Sequence, residues 1–324
     1  MRMTFGLLAV AALTAGCGVE NDLRFTSSLQ SQTRGVALSD VGLDAYAGMI
    51  GSTCTIDTNW GCPTSDTDLP SDEEQVVDHL GGDTLGVSPE GLHIIRGTAW
   101  QAELDLGIAD VRAAALRTDG PMVVAGDQVA CELHLDDGTV ALPAEACAAD
   151  AHYAFDRSRG SVFVSVGGTV HHAAADRNEA IAEAAGDLVD YDAQNELIYV
   201  AATGGREVTA MRVNGATLWT TELSGPITSL AARGRLGEVL VMTEAADGFG
   251  ALERLDGQTG GELGTFGVPS PVCALEVSDN GHTVACVRPE EVNFYELDAG
   301  FDGEVIDQTP PENCIDPIDQ MTMD

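Results

Sequence analysis

The chain has 324 residues, and its 52 acidic residues against 15 arginines and no lysine give a formal net charge of −37. A field of this sign repels phosphate backbones, so the composition excludes nucleic acid as a partner. The hydrophobic content of 44% is sufficient for a core. The acidic residues are spread along the whole chain, which favours a solvated surface over a dedicated cation-binding function.

Residues 1–16 have the features of a signal peptide. Arg2 supplies a positive start, and the run FGLLAVAAL that ends at Leu13 is apolar. Spanning a bilayer takes about 20 apolar residues, so this run is too short for a transmembrane helix and is predicted to be removed. No later run approaches that length, so the mature chain is not predicted to span a membrane.

The predicted signal peptide ends in LTAGC, with small residues directly before Cys17. This string resembles the lipobox of bacterial lipoprotein precursors. The resemblance implies cleavage before Cys17 and acyl chains on its sulfur and its amino group, and several acyl chains together anchor stably. Gly18 stands where an aspartate would resemble an inner-membrane retention signal, which favours the outer membrane of a cell envelope. Ordinary secretory cleavage with an unmodified Cys17 is the alternative.

Residues 54–75 are predicted to form an acidic loop, and Ca²⁺ is the ion that its carboxylates would take. The candidate ligands are Asp66, Asp68 and Asp72. Counted from Asp66, the positions where an EF-hand needs Gly and Glu hold Ser71 and Val77. A solvated surface loop is therefore the favoured interpretation, and no cofactor is predicted.

A repeat runs through most of the chain. An apolar stretch, a turn rich in Asp, Gly, Ser or Arg, and an alternating apolar strand recur six times, anchored on Ile94, Val123, Val162, Ile198, Val239 and Val284. A weaker seventh copy is anchored on Ile50, and the spacings run from 29 to 45 residues. Periods near 40 residues with several short strands per unit are typical of propeller blades. The pattern predicts an all-β protein, a β-propeller of six to seven four-stranded blades.

The repeats also predict the domain organisation. The propeller is predicted over residues 36–307, with the clearest repeats over 84–307. Residues 17–35 are polar and are predicted to be a tether between lipid and domain, and residues 308–324 are predicted to be an irregular tail. The segment HHAAADRNEAIAEAAGD, which begins at His171, is rich in helix formers. It is interpreted either as a helical excursion or as an irregular outer hairpin.

Three segments carry a resemblance to known propeller families. VNGATLW, which ends at Trp219, and LDGQTG, which begins at Leu255, resemble the turns and the docking tryptophan of quinoprotein-type blades. SDNGHTVACV resembles a strand of WD40 and YVTN-type blades. The resemblance implies a propeller in which Trp219 packs between blades rather than forming a platform for a ligand. It implies nothing about ligand identity, because these motifs consist of turn glycines and core residues.

Cysteines other than Cys17 are expected to form disulfides, because an exported chain enters an oxidising compartment. Seven are present, so one thiol is left over, and the sequence leaves many pairings open. Short separations favour Cys54–Cys62, Cys131–Cys147 and Cys273–Cys286, with Cys314 left over. For the third pair, an SDNG turn is predicted to place Cys273 directly opposite Cys286 in a hairpin. No CxxC motif occurs, which argues against zinc.

Catalytic motifs of the common enzyme families do not occur in the sequence. His171 and His172 are adjacent, and neighbouring residues on a strand point to opposite faces, so the pair is not expected to chelate one ion. We rank first a cell-envelope lipoprotein whose propeller is a protein-binding or scaffold module. Second is an enzyme centred on the propeller channel, either a metal-dependent hydrolase or lactonase or a quinone-dependent oxidoreductase. Surface adhesion or polysaccharide binding is a third possibility.

Overall fold

The computed structural model describes the strands between residues 23 and 104 and most of residues 108–297, with side chains from Val77 onward apart from scattered positions. This part of the chain holds 28 strands and two short 3-10 helices. None of its helices is long and apolar enough to cross a membrane. The predicted signal peptide, Cys17, Cys314 and the predicted tail lie outside the described residues.

The strands form seven four-stranded antiparallel sheets, which we number 1 to 7 along the chain. The first strand, β1, spans Leu23–Ser28. Sheet 1 contains β2 (Val36–Leu38), β3 (Asp44–Met49), β4 (Ser52–Asp57) and β5 (Pro63–Asp68). Sheet 2 contains β6 (Gln75–Leu80), β7 (Asp83–Ser88), β8 (Gly91–Arg96) and β9 (Ala99–Leu104). Sheet 3 contains β10 (Val111–Arg117), β11 (Gly120–Gly126), β12 (Cys131–Leu135) and β13 (Gly138–Leu142).

The remaining sheets follow the same plan. Sheet 4 contains β14 (His152–Asp156), β15 (Ser161–Val166), β16 (Thr169–Ala174) and β17 (Arg177–Glu183). Sheet 5 contains β18 (Leu188–Asp192), β19 (Leu197–Ala201), β20 (Glu207–Arg212) and β21 (Thr217–Glu222). Sheet 6 contains β22 (Ile227–Arg233), β23 (Glu238–Glu244), β24 (Gly250–Asp256) and β25 (Glu262–Val268). Sheet 7 contains β26 (Ala274–Val277), β27 (Thr283–Arg288) and β28 (Glu291–Glu296), joined by β1. The 3-10 helices span Ala144–Cys147 and Gly234–Leu236.

The sheets close into a ring around a central channel. Strands β2, β6, β10, β14, β18, β22 and β26 are innermost. Neighbouring innermost strands contact each other closely at every joint except the one between sheets 3 and 4, including β2 with β26 across the point of closure, and sheets 3 and 4 meet where β13 contacts β16 and β17. The molecule is therefore an all-β propeller, and its seven four-stranded sheets agree with the six to seven blades predicted from the repeat.

Strand β1 is the outermost strand of sheet 7, where Thr26 pairs with Asn293 and Ser28 pairs with Glu291. A segment from the start of the chain thus completes the sheet formed by its end. The prediction that residues 17–35 are a tether outside the fold is wrong for Leu23–Ser28. An outermost strand keeps a solvated edge and needs few apolar residues, which is why LRFTSS was not recognised as a strand.

Sheet 5 shows how the local sequence produces a blade. The Oδ1 atom of Asp192 accepts the backbone N–H groups of Gln194 and Asn195, both at 2.9 Å, and so closes the turn between β18 and β19. Asp156 and Asp256 close turns of sheets 4 and 6 in the same way. The second strand, β19, is buried at every position, whereas the outer strand β21 is exposed or half-buried throughout. This difference explains why second strands are continuous apolar runs and outer strands are polar.

The repeat anchors fall on second strands in five of the six copies. The exception is Ile94, which lies on the third strand β8 and pairs with Leu85 on β7, so the predicted spacing of 29 residues compared two different strands. Ile50 lies outside the described residues. The segment after His171 is an outer hairpin of β16 and β17, as one of its two interpretations held, because cross-strand pairing overrides its helix propensity.

The predicted acidic loop over residues 54–75 is also corrected. Residues 54–57 belong to β4, and β5 occupies Pro63–Asp68, where Thr53 pairs with Thr67. The polar composition of this segment reflects the outer edge of a sheet rather than a loop. The Cys54–Cys62 pairing lies outside the described side chains and stays a prediction.

Two of the predicted disulfides are confirmed. Cys131 is bonded to Cys147, and Cys273 is bonded to Cys286, with Cα–Cα distances of 5.5 and 5.3 Å. The predicted hairpin register of the second pair is wrong, because Cys286 lies opposite Leu275. The turn is longer than predicted: Ser278 and Thr283 close it through two hydrogen bonds, from the Thr283 N–H to Ser278 Oγ and from the Ser278 N–H to the Thr283 carbonyl.

Trp219 packs between sheets 5 and 6, as the blade resemblance implied. Its Nε1 donates a 2.8 Å hydrogen bond to the carbonyl of Gly257, and its ring centroid lies 6.1 Å from that of Tyr199. Gly260 adopts a φ of +70°, and a Cβ atom there would lie 2.7 Å from the Trp219 ring. The turn LDGQTG therefore needs glycine at this position both for its backbone and for the docked indole.

Candidate functional site

A cavity of about 660 Å³ opens into the central channel on the face that carries the turns between first and second strands. Its walls are the innermost strands of sheets 2 to 7, which contribute apolar side chains such as Leu80, Ala115, Phe155 and Leu275. The volume lies within the range of about 300–1,000 Å³ that small-molecule sites occupy. The charged side chains among the lining residues, those of Asp78, Arg117, Arg157, Asp190 and Glu276, define what the cavity could bind.

Arg157 and Asp78 tie the channel wall together. Arg157 extends from the turn after β14 and forms an ion pair and hydrogen bond with Asp78 on β6, two sheets away. Asp78 also accepts the backbone N–H of Leu116 on β10 at 2.6 Å. Asp78 is buried and Arg157 is half-buried. One carboxylate thus joins sheets 2, 3 and 4, as expected for a buried charge that is both paired and hydrogen-bonded.

Asp190 and Glu276 occupy equivalent positions of sheets 5 and 7. Each immediately precedes the residue that pairs with a repeat anchor. Asp190 accepts the backbone N–H of Ala232 at 2.7 Å and so links sheet 5 to sheet 6. For the carboxyl of Glu276, the described part of the chain supplies neither a hydrogen bond nor an ion pair. Its carboxyl is therefore available to a ligand in the channel.

The channel perturbs both carboxyls. Desolvation by the surrounding protein, followed by the negative charges of Asp190 and Asp78, raises the pKa of Glu276 to about 8, and the Arg157 guanidinium opposes this. Desolvation likewise raises the pKa of Asp190 to about 6, against the hydrogen bonds from Ala232 and Tyr191. Glu276 is enclosed by the ring and yet accessible to solvent because the channel is open. A carboxyl that stays protonated near neutral pH can donate a hydrogen bond or act as a general acid.

The adjacent histidines weighed as ligands in the sequence, His171 and His172, do not line this cavity. His171 and His172 lie on β16, where the ring of His172 stacks on Phe163 at 4.5 Å between centroids, and burial lowers the pKa of both imidazoles. Among the described residues, no three His, Cys, Asp or Glu side chains are grouped so that they could hold a metal ion. Of the Ca²⁺ candidates, Asp66 and Asp68 fall on β5 and Asp72 is not described, so Ca²⁺ binding there stays the less favoured, untested alternative.

Sequence reasoning missed all five charged residues of the channel. A signal was present for two of them, since LVDY and ALEV each place a carboxylate inside an otherwise apolar first strand. Such a residue must face a channel or a partner, because an isolated buried charge is too costly. No comparable signal existed for Arg157, which lies in a turn among other polar residues.

Comparisons with known proteins support the fold and do not identify a function. No family model matches the chain, and neither does any curated protein. Among solved structures, a chain of the "Crystal Structure of Mitotic Checkpoint Complex" matches with a TM-score of 0.66 and 12% identity, over 92% of this chain and 99% of that chain. The structure of Kluyveromyces lactis Hsv2 matches with a TM-score of 0.61 and 11% identity, over 84% of this chain and 95% of that chain. The chain therefore has the fold of a WD40-type β-propeller, and at such identities the likeness concerns the fold alone.

Proposed function

We propose that this protein is a lipid-anchored propeller of a bacterial cell envelope, placed at the outer membrane, and that its disc binds other proteins as a scaffold. One observation carries the binding role. Among the described residues, the three most exposed large apolar side chains are Val129 (89%), Val272 (68%) and Phe249 (57%). All three lie on one face of the ring, in loops that join second to third strands or one sheet to the next.

Apolar side chains left in water at loop tips mark contact surfaces when they share a face. A propeller suits this role because its loops are held by a rigid ring of packed sheets. One structural neighbour is, by its title, part of a protein complex, which is consistent with a scaffold role without identifying a partner.

The scaffold role is tested by site-specific photo-crosslinking in cells. A photoreactive residue at position 249 is expected to capture a reproducible protein partner. The matched control is position 263, because Leu263 is similarly exposed (50%) but lies on the outer strand of the same sheet. The scaffold proposal fails if position 249 captures nothing beyond what position 263 captures.

The lipid anchor is tested with Cys17→Ser. The chain is strongly acidic, so anionic headgroups should repel the domain, and the variant is expected to move into the soluble fraction with its fold intact. Cys314→Ser is the control. This variant should stay with the membranes and should still incorporate labelled fatty acid. A Cys17→Ser protein that still fractionates with membranes contradicts the anchor.

A channel-centred enzyme is the second candidate, and the convergence of Asp190, Glu276 and Arg157 on one cavity favours it. Glu276 would act as the acid of a hydrolase or lactonase, because the channel keeps its carboxyl protonated near neutral pH. The assay is hydrolysis of simple lactones by purified protein. Activity that Glu276→Gln abolishes and Glu262→Gln leaves intact would support this candidate, and absence of turnover in the unmodified protein would end it.

A further inference from the structure

Charge is distributed unequally between the two faces of the ring. In an antiparallel sheet, the loop between the second and third strands and the connection to the next sheet lie at one end. We call that end of the ring the loop face and the other end the turn face. Exposed or half-buried carboxylates described on the loop face are those of Asp110, Asp127, Glu132, Glu145, Asp150, Glu183, Asp187, Glu207, Glu222, Glu244 and Asp247. The arginines described there are Arg112, Arg206 and Arg288.

The turn face is closer to balance. Its exposed or half-buried carboxylates are those of Asp83, Asp119, Asp136, Asp176, Glu179, Asp190, Glu196, Asp256, Glu262 and Glu276. Its arginines are Arg117, Arg157, Arg159, Arg177, Arg212 and Arg235. Because the chain has no lysine, these arginines are the fixed side-chain cations that offset the acidic residues. The described loop face therefore has most of the uncompensated negative charge.

The three most exposed large apolar side chains among the described residues lie on this same acidic face. Phe249 and Val272 are on two loops that touch: a Cβ atom added to Gly250 would lie 2.6 Å from the carbonyl oxygen of Ser270 and 2.9 Å from the Cα of Pro271. Carboxylates of the same sheet or the one before it, those of Glu222, Glu244 and Asp247, lie on the same face. We call Phe249 and Val272 the apolar pair.

Hydrogen bonds within the protein fix the conformation of both loops without a partner. In the first loop, the N–H of Ala245 donates to the carbonyl of Phe249 at 2.8 Å. In the second, the hydroxyl of Thr228 donates to the carbonyl of Pro271, and Val272 directly precedes the disulfide-bonded Cys273. A preorganised contact surface loses little conformational entropy on binding.

We infer that the loop face around the apolar pair binds a basic polypeptide segment that also carries apolar side chains. This inference rests on the proposed scaffold role and specifies its face and the chemistry of its partner. Charge complementarity selects this occupant, because a second copy of the chain would bring one acidic face against another. An anionic membrane surface is disfavoured for the same reason.

The test uses the full-length chain with Cys17→Ser and three fluorescent peptides. One alternates lysine with phenylalanine or leucine, one is oligolysine, and one is an acidic analogue of the first. Anisotropy should report binding of the basic apolar peptide, weakened by added NaCl. Phe249→Ser and Val272→Ser should each weaken it about five- to thirtyfold, as expected for loss of one buried apolar side chain. Leu263→Ser is the matched apolar control and should bind like the parent.

The charge component is tested separately. Glu244→Gln combined with Asp247→Asn should weaken binding and flatten its salt dependence, whereas Asp119→Asn combined with Glu196→Gln on the turn face should not. Equal binding of oligolysine, or equal loss in the turn-face variant, would overturn the inference, because attraction would then be non-specific. Sedimentation that shows a dimer abolished by Phe249→Ser would overturn it in favour of self-association.

Failure of this inference differs from failure of the scaffold role. If photo-crosslinking captures a partner that Phe249→Ser and the loop-face charge variants still bind normally, the scaffold role stands and the assigned surface is wrong. If position 249 captures nothing beyond what position 263 captures, the scaffold role itself fails.

Discussion

The joint between sheets 5 and 6 and the joint between sheets 6 and 7 hold neighbouring blades with different chemistry. At the first joint, neutral groups of the outer strand dock on a turn: Trp219 donates to the carbonyl of Gly257, and Thr221 donates to that of Gly260 at 2.9 Å. At the second joint, a charged side chain donates the hydrogen bonds to the neighbouring sheet. Arg233 is fully buried and donates to the carbonyls of Gly281 at 2.7 Å and Leu297 at 3.0 Å.

The charge of Arg233 is balanced within sheet 6. Its guanidinium donates to Glu238 at 2.7 Å, and Arg254 donates to the same carboxylate at 2.7 and 3.1 Å. A buried network of this kind contributes little net free energy when complete, but removal of one member is costly because the others lose their compensation. The docking of Trp219 and Thr221 at the first joint involves no charged side chain and should lack this sensitivity. The two joints should therefore differ most when single residues are removed.

The largest effect is expected for Arg233→Met. This change leaves two carbonyls and the Arg254–Glu238 pair without the guanidinium, so the free energy of unfolding should fall by about 3–5 kcal/mol. Urea unfolding followed by circular dichroism measures it. Arg235→Met is the control, since Arg235 lies two residues along the same turn and is exposed, and it should change stability by less than about 0.5 kcal/mol. A loss below about 1 kcal/mol for Arg233→Met would remove the distinction between the joints.

An intermediate effect is expected for Trp219→Phe. Phenylalanine keeps an aromatic ring against Tyr199 and Gly260 but removes the indole N–H, so the loss should be about 1–2 kcal/mol, the cost of one buried hydrogen bond and its unpaired acceptor. The same urea experiment measures it, with the exposed Thr217→Ala on the same strand as control. A loss equal to that of Arg233→Met would mean that the charged joint is not especially sensitive.

The two joints also differ in how far sequence predicts them. Trp219 and the LDGQTG turn were recognised because each is a local pattern whose glycine and tryptophan have fixed places in a blade. Arg233 could not be recognised, since its partners Gly281 and Leu297 lie 48 and 64 residues away. The same limit applies to β1, whose partner strand is at the other end of the chain. Repeat spacing predicts the blades, whereas contacts between distant blades depend on the closed ring.

The charged residues of the channel also show that sequence does not predict contacts between distant parts of the chain. Alternation predicts that first strands face both a core and the channel, but it does not say which polar residues will find partners. Asp190 and Glu276 are equivalent in position, yet the carboxyl of Asp190 accepts the N–H of Ala232 and the carboxyl of Glu276 bonds to none of the described residues. Arg157 and Asp78 are 79 residues apart and meet because the ring places sheets 2 and 4 across the same cavity.

The smallest effect is expected for Glu276→Gln, and it depends on pH. The folded state raises the pKa of Glu276 from 4.5 to about 8, because the surrounding protein and the charges of Asp190 and Asp78 disfavour its ionised form and Arg157 compensates only in part. Between these values the folded state binds more protons than the unfolded state, so the parent protein loses stability as pH rises.

Below about pH 4.5 the carboxyl is neutral in both states, and the variant should match the parent there. Above pH 8 the variant should be the more stable, by about 1 kcal/mol or less, because solvent in the open channel screens the charges. Thermal unfolding from about pH 4 to about pH 9 measures this, with the exposed Glu262→Gln as control. Unlike Asp190, Glu276 supports no joint in the described structure, so a variant that is less stable than the parent at every pH would show that it does hold the ring together.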